Sequence, residues 1–439
     1  MPIAMGLDRV GVVASRLAIR IAGPVITVAG TNGKGSTCAM LESIYRHAGY
    51  RTGMYMSPHL LRFNERVRIG GEPAEDAALV GAFDAVEAAR TGASATSPRA
   101  PDVPVAARTQ AVGPDRALDA GNPQVPVPLT YFEFATLAAL LLFQQEKPDV
   151  LVLEVGLGGR LDAVNVIDAD VAVITTVDID HVAYLGPTRE AIAREKAGIM
   201  RAGRVAVCGE PDPPQSLIEH ARAIGAPLWR IGHEYRYEAQ ARQWRYEGPG
   251  GMRHGLPIPA LRGGYQLGNA ATVLAAIDAL RARLPVAAGA IRDGLVHVEL
   301  AGRFQVLPGR PAVVVDVAHN PHAARALADA LNAMGEFPRN YAVFGMLADK
   351  DIDGVIVAMR PRIDAWHVAS LPGPRGASAD ALARRLREAG VAEAAVKRFD
   401  SIAQAFRAAR DEARETDRIA AFGSFLTVAA TIEALRVRG

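Results

Sequence analysis

The chain has 439 residues, of which 50% are hydrophobic and 22% charged, with a formal net charge of +2. That length exceeds one ordinary core and sets two or three domains as the expectation, while the charge balance gives no reason to expect nucleic acid or an anionic membrane as partner. Two widely separated cysteines, Cys38 and Cys208, make neither a disulfide framework nor a zinc cluster and fit a reducing cytoplasm.

The N-terminus lacks a signal-peptide pattern, and the longest apolar stretch, Phe134 to Phe143, is too short to span a bilayer. Only five of the 49 basic residues are lysines: Lys34, Lys147, Lys196, Lys350 and Lys397. A chain that otherwise uses arginine points to its lysines as places where a compact charge or a primary amine is needed.

The first buried-strand pattern is VITVA, Val25 to Ala29. GTNGKGST follows it, and then a helical stretch from Ser36 to Gly49. The loop departs from the usual phosphate-binding spacing, because Gly35 separates Lys34 from the hydroxyls of Ser36 and Thr37. Between a strand and a helix, backbone N–H groups and the helix N-terminus still form an anion site. Thr91 to Pro128, with seven prolines and no apolar period, reads as a mobile surface insertion. A helix is expected over Thr130 to Gln145, followed by strands at Asp149 to Gly156 and Asp170 to Asp178. Near-continuous apolar strands alternating with helices predict an α/β layer with a mostly parallel sheet.

Glu154 ends the second of these strands beside a run of glycines, the position of a magnesium ligand next to a phosphate loop. The bland reading has it capping a turn or pairing with Arg160. His181 follows Asp178 and Asp180, and taken alone reads first as a structural histidine. Lys196, within a predicted helix, reads first as solvated. Leu228 to Arg262 suggests strands or hairpins. A second, smaller α/β domain restarts near Leu300, with Asp316 and His319 at the end of another strand and Asn320-Pro321 as a natural helix start.

Taken together, GTNGKGS, SPHL (57–60), TYFE (130–133), EVGLGGRLDAVN, DHVAYLG, EKAGI, GRFQ, DVAHNPHA, MLADKD and FGSFLTV resemble the folylpolyglutamate synthase and dihydrofolate synthase family of the Mur ligase group, bifunctional bacterial type. The resemblance implies a Mur-ligase-like fold. Residues 1–300 would form a P-loop ATP- and pterin-binding domain, and 301–439 a Rossmann-like glutamate-ligase domain. It implies ATP contacts at Gly30, Thr31, Asn32, Gly33, Lys34, Gly35, Ser36, Thr37, Asn269, Arg303 and Asp316. The pterin site would take Thr130, Tyr131, Phe132, Glu133, Leu161, Asp162 and Ala163. Magnesium would be held by Ser57, Glu154 and His181, Lys196 would be carbamylated, and His319 and Ser424 would lie near the incoming glutamate. Lys34, Lys196 and His319 are the catalytic candidates.

The implied activity is ATP-dependent joining of L-glutamate to dihydropteroate, and of further glutamates to tetrahydrofolate, through an acyl phosphate. Mg²⁺ and a monovalent cation such as K⁺ are the implied cofactors. A cytoplasmic monomer acting on small molecules, with no nucleic acid or membrane partner, is expected. The family also implies more chain ahead of Gly6 than the five residues here, in a segment that helps to hold dihydrofolate.

Overall fold

The computed structural model describes residues 5–92 and 125–436. Most of the proline-rich stretch read as an insertion, residues 93–124, lies outside the described residues. At its start, the helix Asp76–Thr91 runs through Thr91.

Eight strands form the large sheet: β1 (Val25–Ala29), β2 (Thr52–Tyr55), β3 (Val67–Ile69), β4 (Glu72–Pro73), β5 (Val150–Glu154), β6 (Val171–Ile174), β7 (Val205–Cys208) and β8 (Leu228–Arg230). Their spatial order is β4-β3-β2-β5-β1-β6-β7-β8. All pairs from β2 to β8 are parallel, whereas β3 and β4 add an antiparallel edge.

The continuous apolar runs have a direct cause, since both faces of the sheet are covered. Ile26, Val28, Val150, Val152, Val171 and Val173 pack with the helix Gln266–Leu280. Their neighbours Ala29, Leu151, Leu153, Ala172 and Ile174 pack with the helix Tyr131–Glu146 on the other side. Side chains alternate between faces, so a strand buried twice has no polar position to spare.

The Leu228 to Arg262 expectation resolves into β8 and a separate antiparallel sheet of β9 (Arg236–Ala239), β10 (Gln243–Gly248) and β11 (Gly251–Pro257). Here burial alternates along β10, with Trp244 and Tyr246 inward and Gln243 and Arg245 outward, as in a sheet covered on one face.

The second sheet, mostly parallel like the first, holds β12 (Gln305–Leu307), β13 (Ala312–Asp316), β14 (Asn340–Phe344), β15 (Ala365–Ala369), β16 (Val396–Phe399) and β17 (Arg418–Phe422). Its order is β12-β13-β17-β14-β15-β16, parallel apart from the β12–β13 pair. It too is covered on both faces, by separate clusters around Phe344, Trp366 and Phe422 and around Tyr341, Val343 and Ile419. β16 has no clear signal in the sequence, because Lys397 and Arg398 in its centre are exposed.

Two boundaries differ from expectation for local reasons. β6 stops at Ile174 because the Thr175 and Thr176 hydroxyls turn to the phosphate loop and donate to Asn32 O at 2.5 and 3.2 Å. The loop helix starts at Lys34, two residues early, because Gly33 takes the cap position with φ +84°, a conformation open to glycine without steric cost.

That helix, Lys34–His47, crosses the helix Ala288–Val296 closely. Ser43 Oγ donates to Gly294 O at 2.8 Å, and a Cβ on Gly294 would lie 2.5 Å from Ile44 Cα. Backbone cannot yield as a side chain can. Gly294→Ala is therefore expected to lower the chemical denaturation midpoint by the equivalent of about 1–3 kcal/mol, despite the roughly 1 kcal/mol that alanine gains in helix propensity. An unchanged midpoint would show slack between the two helices.

Candidate active site

In the large sheet the chain leaves β1 for β2 on one side and, after β5, reaches β6 on the other. The carboxyl ends of β1 and β5 therefore flank the topological switch point, where α/β sheets bind ligands. The phosphate loop leaves β1 at Gly30 and Glu154 closes β5, with Val28 paired to Glu154 in the ladder. Thr31 N donates to Thr176 O at 2.9 Å and Asn32 N to Thr176 Oγ1 at 2.9 Å, so the end of β6 clamps the loop. A Cβ on Gly30 would collide with Thr175 Oγ1 at 1.8 Å.

Lys34 Nζ lies over the loop it belongs to, donating to Gly30 O at 3.0 Å and Thr31 O at 3.3 Å. Of the two hydroxyls, Ser36 Oγ accepts from Gln266 Nε2 at 3.2 Å. Thr37 Oγ1 is buried with no hydrogen-bond partner among the described residues. Gln266 also accepts from Asn269 Nδ2 at 2.8 Å, and a Cβ on Gly33 would meet Asn269 Oδ1 at 2.7 Å. Asn269 is thus at the loop as expected. Gln266, three residues before Asn269, is a further residue at the loop that the sequence did not mark.

Glu154 is buried, and its Oε2 accepts from Ser57 N at 3.1 Å. Burial raises its carboxyl, with Lys34 the strongest charge opposing that rise. Glu154 does not pair with Arg160, which pairs with Glu195 instead, at 2.9 Å; its bond from Ser57 N is of the turn-capping kind. A Cβ on Gly35 would stand 3.6 Å from Arg303 Nη2 and 4.0 Å from Glu154 Oε1. Arg303, from the start of the second sheet's segment, therefore reaches the loop.

His181 adopts φ +53° and faces Lys350, with Lys350 Nζ 3.3 Å from His181 Nε2 and 2.8 Å from Asp180 Oδ1. Burial, then Lys350 and Lys34, push the His181 imidazole down to about 4 against the pull of Asp180. Burial raises the Asp180 carboxyl, but His181, Lys350 and His319 outweigh it and hold it well below the usual range. Ser57 and Glu154 are in direct contact, whereas the direct contacts of His181 are with Asp180 and Lys350. Among the described residues no three His, Cys, Asp or Glu side chains form a closed metal cage. The buried Glu154 carboxylate, beside Ser57 at the phosphate loop, is a donor of the kind Mg²⁺ takes, since that ion keeps several waters and binds substrate phosphates.

The expectation of a solvated Lys196 is corrected by the structure. It lies in the helix Arg189–Ala197 with 3% exposure, because this face of the helix packs inward with Ile192, Ala193 and Ala197. Burial, reinforced by Lys34, pushes its ammonium down to about 7, with Asp180 opposing. At neutral pH a large share of this side chain is a neutral amine.

Across the seam, His319 Nδ1 is 2.9 Å from Val317 O, and its Nε2 is 3.8 Å from Asp180 Oδ2. Burial pushes the His319 ring down to about 4. Its Nδ1 therefore carries the proton and its Nε2 the lone pair. Asn320 caps the next helix through Ala323 N at 2.9 Å, and its Nδ2 donates to Asn32 Oδ1 at 3.1 Å. Ser424 Oγ accepts from Thr427 N at 3.0 Å at the start of the last helix. Phe425, beside it, packs with the His319 ring at 6.5 Å and the Arg303 guanidinium at 5.1 Å. Asp316 is buried and braces backbone, accepting from Phe304 N at 2.7 Å and Ala318 N at 2.8 Å.

The pterin candidates fall into two linked groups. Thr130 and Glu133 cap a helix reciprocally, and Glu133 pairs with Arg9 at 2.6 Å. Phe132 packs on Gly156, where a Cβ would stand 2.6 Å from its ring. Tyr131 is exposed beside Arg66, whose guanidinium is 5.3 Å from the ring centroid. Asp162 accepts from Leu157 N at 2.8 Å and Val164 N at 3.1 Å, and burial lifts its carboxyl to about 7. Leu161 O accepts from Gly6 N at 3.3 Å, and Ala163 opens a short helical turn.

Comparison with known proteins fits this geometry. The Mur ligase middle domain matches residues 119–277, and the Mur ligase glutamate ligase domain matches residues 302–425. The dihydrofolate synthase/folylpolyglutamate synthase of Escherichia coli (strain K12) is 43% identical over 437 residues, covering 99% of this chain and 92% of that protein. The chain belongs to the dihydrofolate synthase/folylpolyglutamate synthase family. The Haemophilus influenzae member is 39% identical, covering 98% of this chain and 93% of its own. Among solved structures, E. coli FolC in complex with DHPP and ADP has a TM-score of 0.86 at 43% identity, covering 100% of this chain and 95% of that one. The Yersinia pestis bifunctional enzyme complexed with AMPPNP and Mn ion has a TM-score of 0.83 at 43% identity, covering 99% and 95%. The ligase is thus a Mur-type, ATP-dependent enzyme of folate metabolism.

The burial of Lys196 has a measurable consequence. Its folded pKa lies below the ordinary value of 10.5, so between about 7 and 10.5 the unfolded chain binds the extra proton and stability rises with pH. Lys196→Met removes that penalty. In carbonate-free buffer the variant is expected to melt above wild type at pH 7, with the difference shrinking steadily toward about pH 10. A difference independent of pH would show that Lys196 is not held as a depressed amine.

Proposed function

We propose that this ligase adds L-glutamate to dihydropteroate and further glutamates to tetrahydrofolate, with residues 1–300 binding ATP and pterin and 301–439 bringing glutamate. The observation that carries this reading is the seam itself. Lys34, Glu154 and Lys196 stand at the end of the large sheet, and His319 faces them from the second sheet across Asp180.

A carboxylate oxygen of the pterin substrate attacks the γ-phosphorus of ATP in line, and ADP leaves. The amino nitrogen of glutamate then attacks the acyl carbon, loses a proton, and expels phosphate from the tetrahedral intermediate. Phosphoryl transfer asks mainly for positioning and charge neutralisation. The loop amides from Gly30 to Thr37 and the Lys34 ammonium supply both, helped by Arg303 and Asn269. Ser57, Glu154 and His181 would hold Mg²⁺, which neutralises charge on the phosphoryl oxygens when bound. A monovalent cation such as K⁺ completes the cofactor set.

Lys196 is suited to carbamylation because its neutral amine can add to the carbon of CO₂ and release one proton. The product is a carboxylate carried on a buried stem, which arginine could not provide. His319 presents an unprotonated Nε2 toward the seam, where it can accept a hydrogen bond from the incoming amine. Thr130 to Glu133 and Leu161 to Ala163 shape the pterin side, with Phe132 supplying an aromatic face and Asp162 a carboxyl lifted toward neutrality. Asp316 acts by bracing the Arg303 segment, and Ser424 sets the last helix beside His319. The enzyme works on small molecules as a cytoplasmic monomer.

With ATP, Mg²⁺ and L-glutamate, purified enzyme is expected to release ADP on addition of dihydropteroate and, separately, of tetrahydrofolate. No ADP with either acceptor would overturn the reading, and a response to only one would remove bifunctionality. Lys196→Ala is expected to lose turnover on the order of 100-fold or more and to recover part of it with added short carboxylates. Full activity without additive would rule out a catalytic carbamate.

A further inference from the structure

The helix carrying the phosphate loop and the helix leading toward Arg303 finish side by side, each on a histidine. His47 is the last residue of Lys34–His47, and His297 is the C-cap of Ala288–Val296. Both are exposed. Their rings stack with centroids 5.3 Å apart and planes 17° from parallel.

The hydrogen bonds settle which nitrogen is available. His47 Nδ1 is 2.7 Å from Ser43 O, and His297 Nδ1 is 2.8 Å from Asp293 O. A carbonyl can only accept, so Nδ1 carries the proton in both rings, and each neutral imidazole keeps its lone pair on Nε2. This is the arrangement of a metal-ligating histidine, whose second nitrogen is oriented by a backbone carbonyl. The supporting frame is rigid as well. Three residues before each histidine, Ile44 and Gly294 meet backbone to backbone, and Ser43 Oγ donates to Gly294 O. Only the two side chains need to move when a ligand arrives.

We propose that His47 and His297 form a two-imidazole site for a nitrogen-preferring divalent transition metal ion, of the Zn²⁺, Ni²⁺ or Cu²⁺ class. Such ions choose imidazole, whereas Mg²⁺ is held through carboxylate and phosphate oxygens even where one imidazole joins them, so two imidazoles alone do not retain the ATP-linked metal. No third His, Cys, Asp or Glu side chain joins the pair among the described residues, and water fills the remaining positions. Metal–nitrogen bonds of about 2.0–2.1 Å require the Nε2 edges to tilt toward each other, a movement open to exposed side chains. The site lies about 20 Å from the phosphate loop along its helix. A bound ion ties that helix to the segment six residues ahead of Arg303, and so stiffens two supports of the nucleotide site at once.

Chelator-treated, tag-free full-length enzyme titrated with Cu²⁺ tests the site by electron paramagnetic resonance. Wild type is expected to show one Cu²⁺ with a two-nitrogen hyperfine pattern that both His47→Ala and His297→Ala lose. Zn²⁺ is expected to raise the thermal midpoint of wild type by a few degrees more than that of either variant. In chelator the variants should melt as wild type does, and with the chelator removed and Mg²⁺ supplied they should turn over as wild type does. Should an alanine variant melt lower, His47→Gln and His297→Gln, which retain a donor for the same carbonyls, take its place. The same copper stoichiometry and nitrogen pattern in wild type and variants would overturn the proposal and leave a pair of rings that only stack.

Discussion

The site depends on holding ionisable groups out of water at the carboxyl edge of a sheet that is itself buried on both faces. Lys34 sits within electrostatic reach of both Glu154 and Lys196, and these two are almost wholly buried. Desolvating a charge is expensive unless a partner compensates. Glu154 is compensated by the Ser57 amide and by Lys34, whereas Lys196 has no hydrogen bond or ion pair among the described residues and gives up its proton affinity instead. The same burial thus raises the Glu154 carboxyl against the pull of Lys34 and turns Lys196 toward a neutral amine. On a solvated helix face a lysine would keep its ammonium.

The second sheet finishes the arrangement. Lys350 bonds Asp180 and reaches His181, Asn320 exchanges hydrogen bonds with Asn32 of the phosphate loop, and His322 meets Asp178 at 3.1 Å. These contacts tie the phosphate loop, the end of β6 and the segment after β13 into one polar seam. They hold His319 and Lys350 against Asp180, and Asn320 against the phosphate loop.

Much of this was legible in the chain. β1, β5 and β13 read as buried strands because both faces are covered, and the glycines of the loop declared its backbone geometry. The scarcity of lysine marked all five lysines alike, and only Lys34, Lys196 and Lys350 belong to the seam, while Lys147 caps a helix and Lys397 pairs with Glu412 at the surface. What could not be read was partnership over long separations. Lys196 looked solvated because helix periodicity does not say which face packs inward. Asp180 and Lys350, 170 residues apart, carry no local sign that they will meet. Gln266 and Arg66 escaped notice because Gln and Arg are common on surfaces, and only the fold turns these two toward the loop and toward Tyr131. β16 was missed since its centre is charged and exposed, as edge strands commonly are.

The central claim is that the seam activates a carboxylate by transferring phosphate to it before the amine attacks. Dihydropteroate labelled with ¹⁸O in its carboxylate tests this most directly, by mass analysis of the phosphate released on glutamate addition. The account predicts one labelled oxygen in each phosphate formed. Phosphate free of label, at normal turnover, would contradict it.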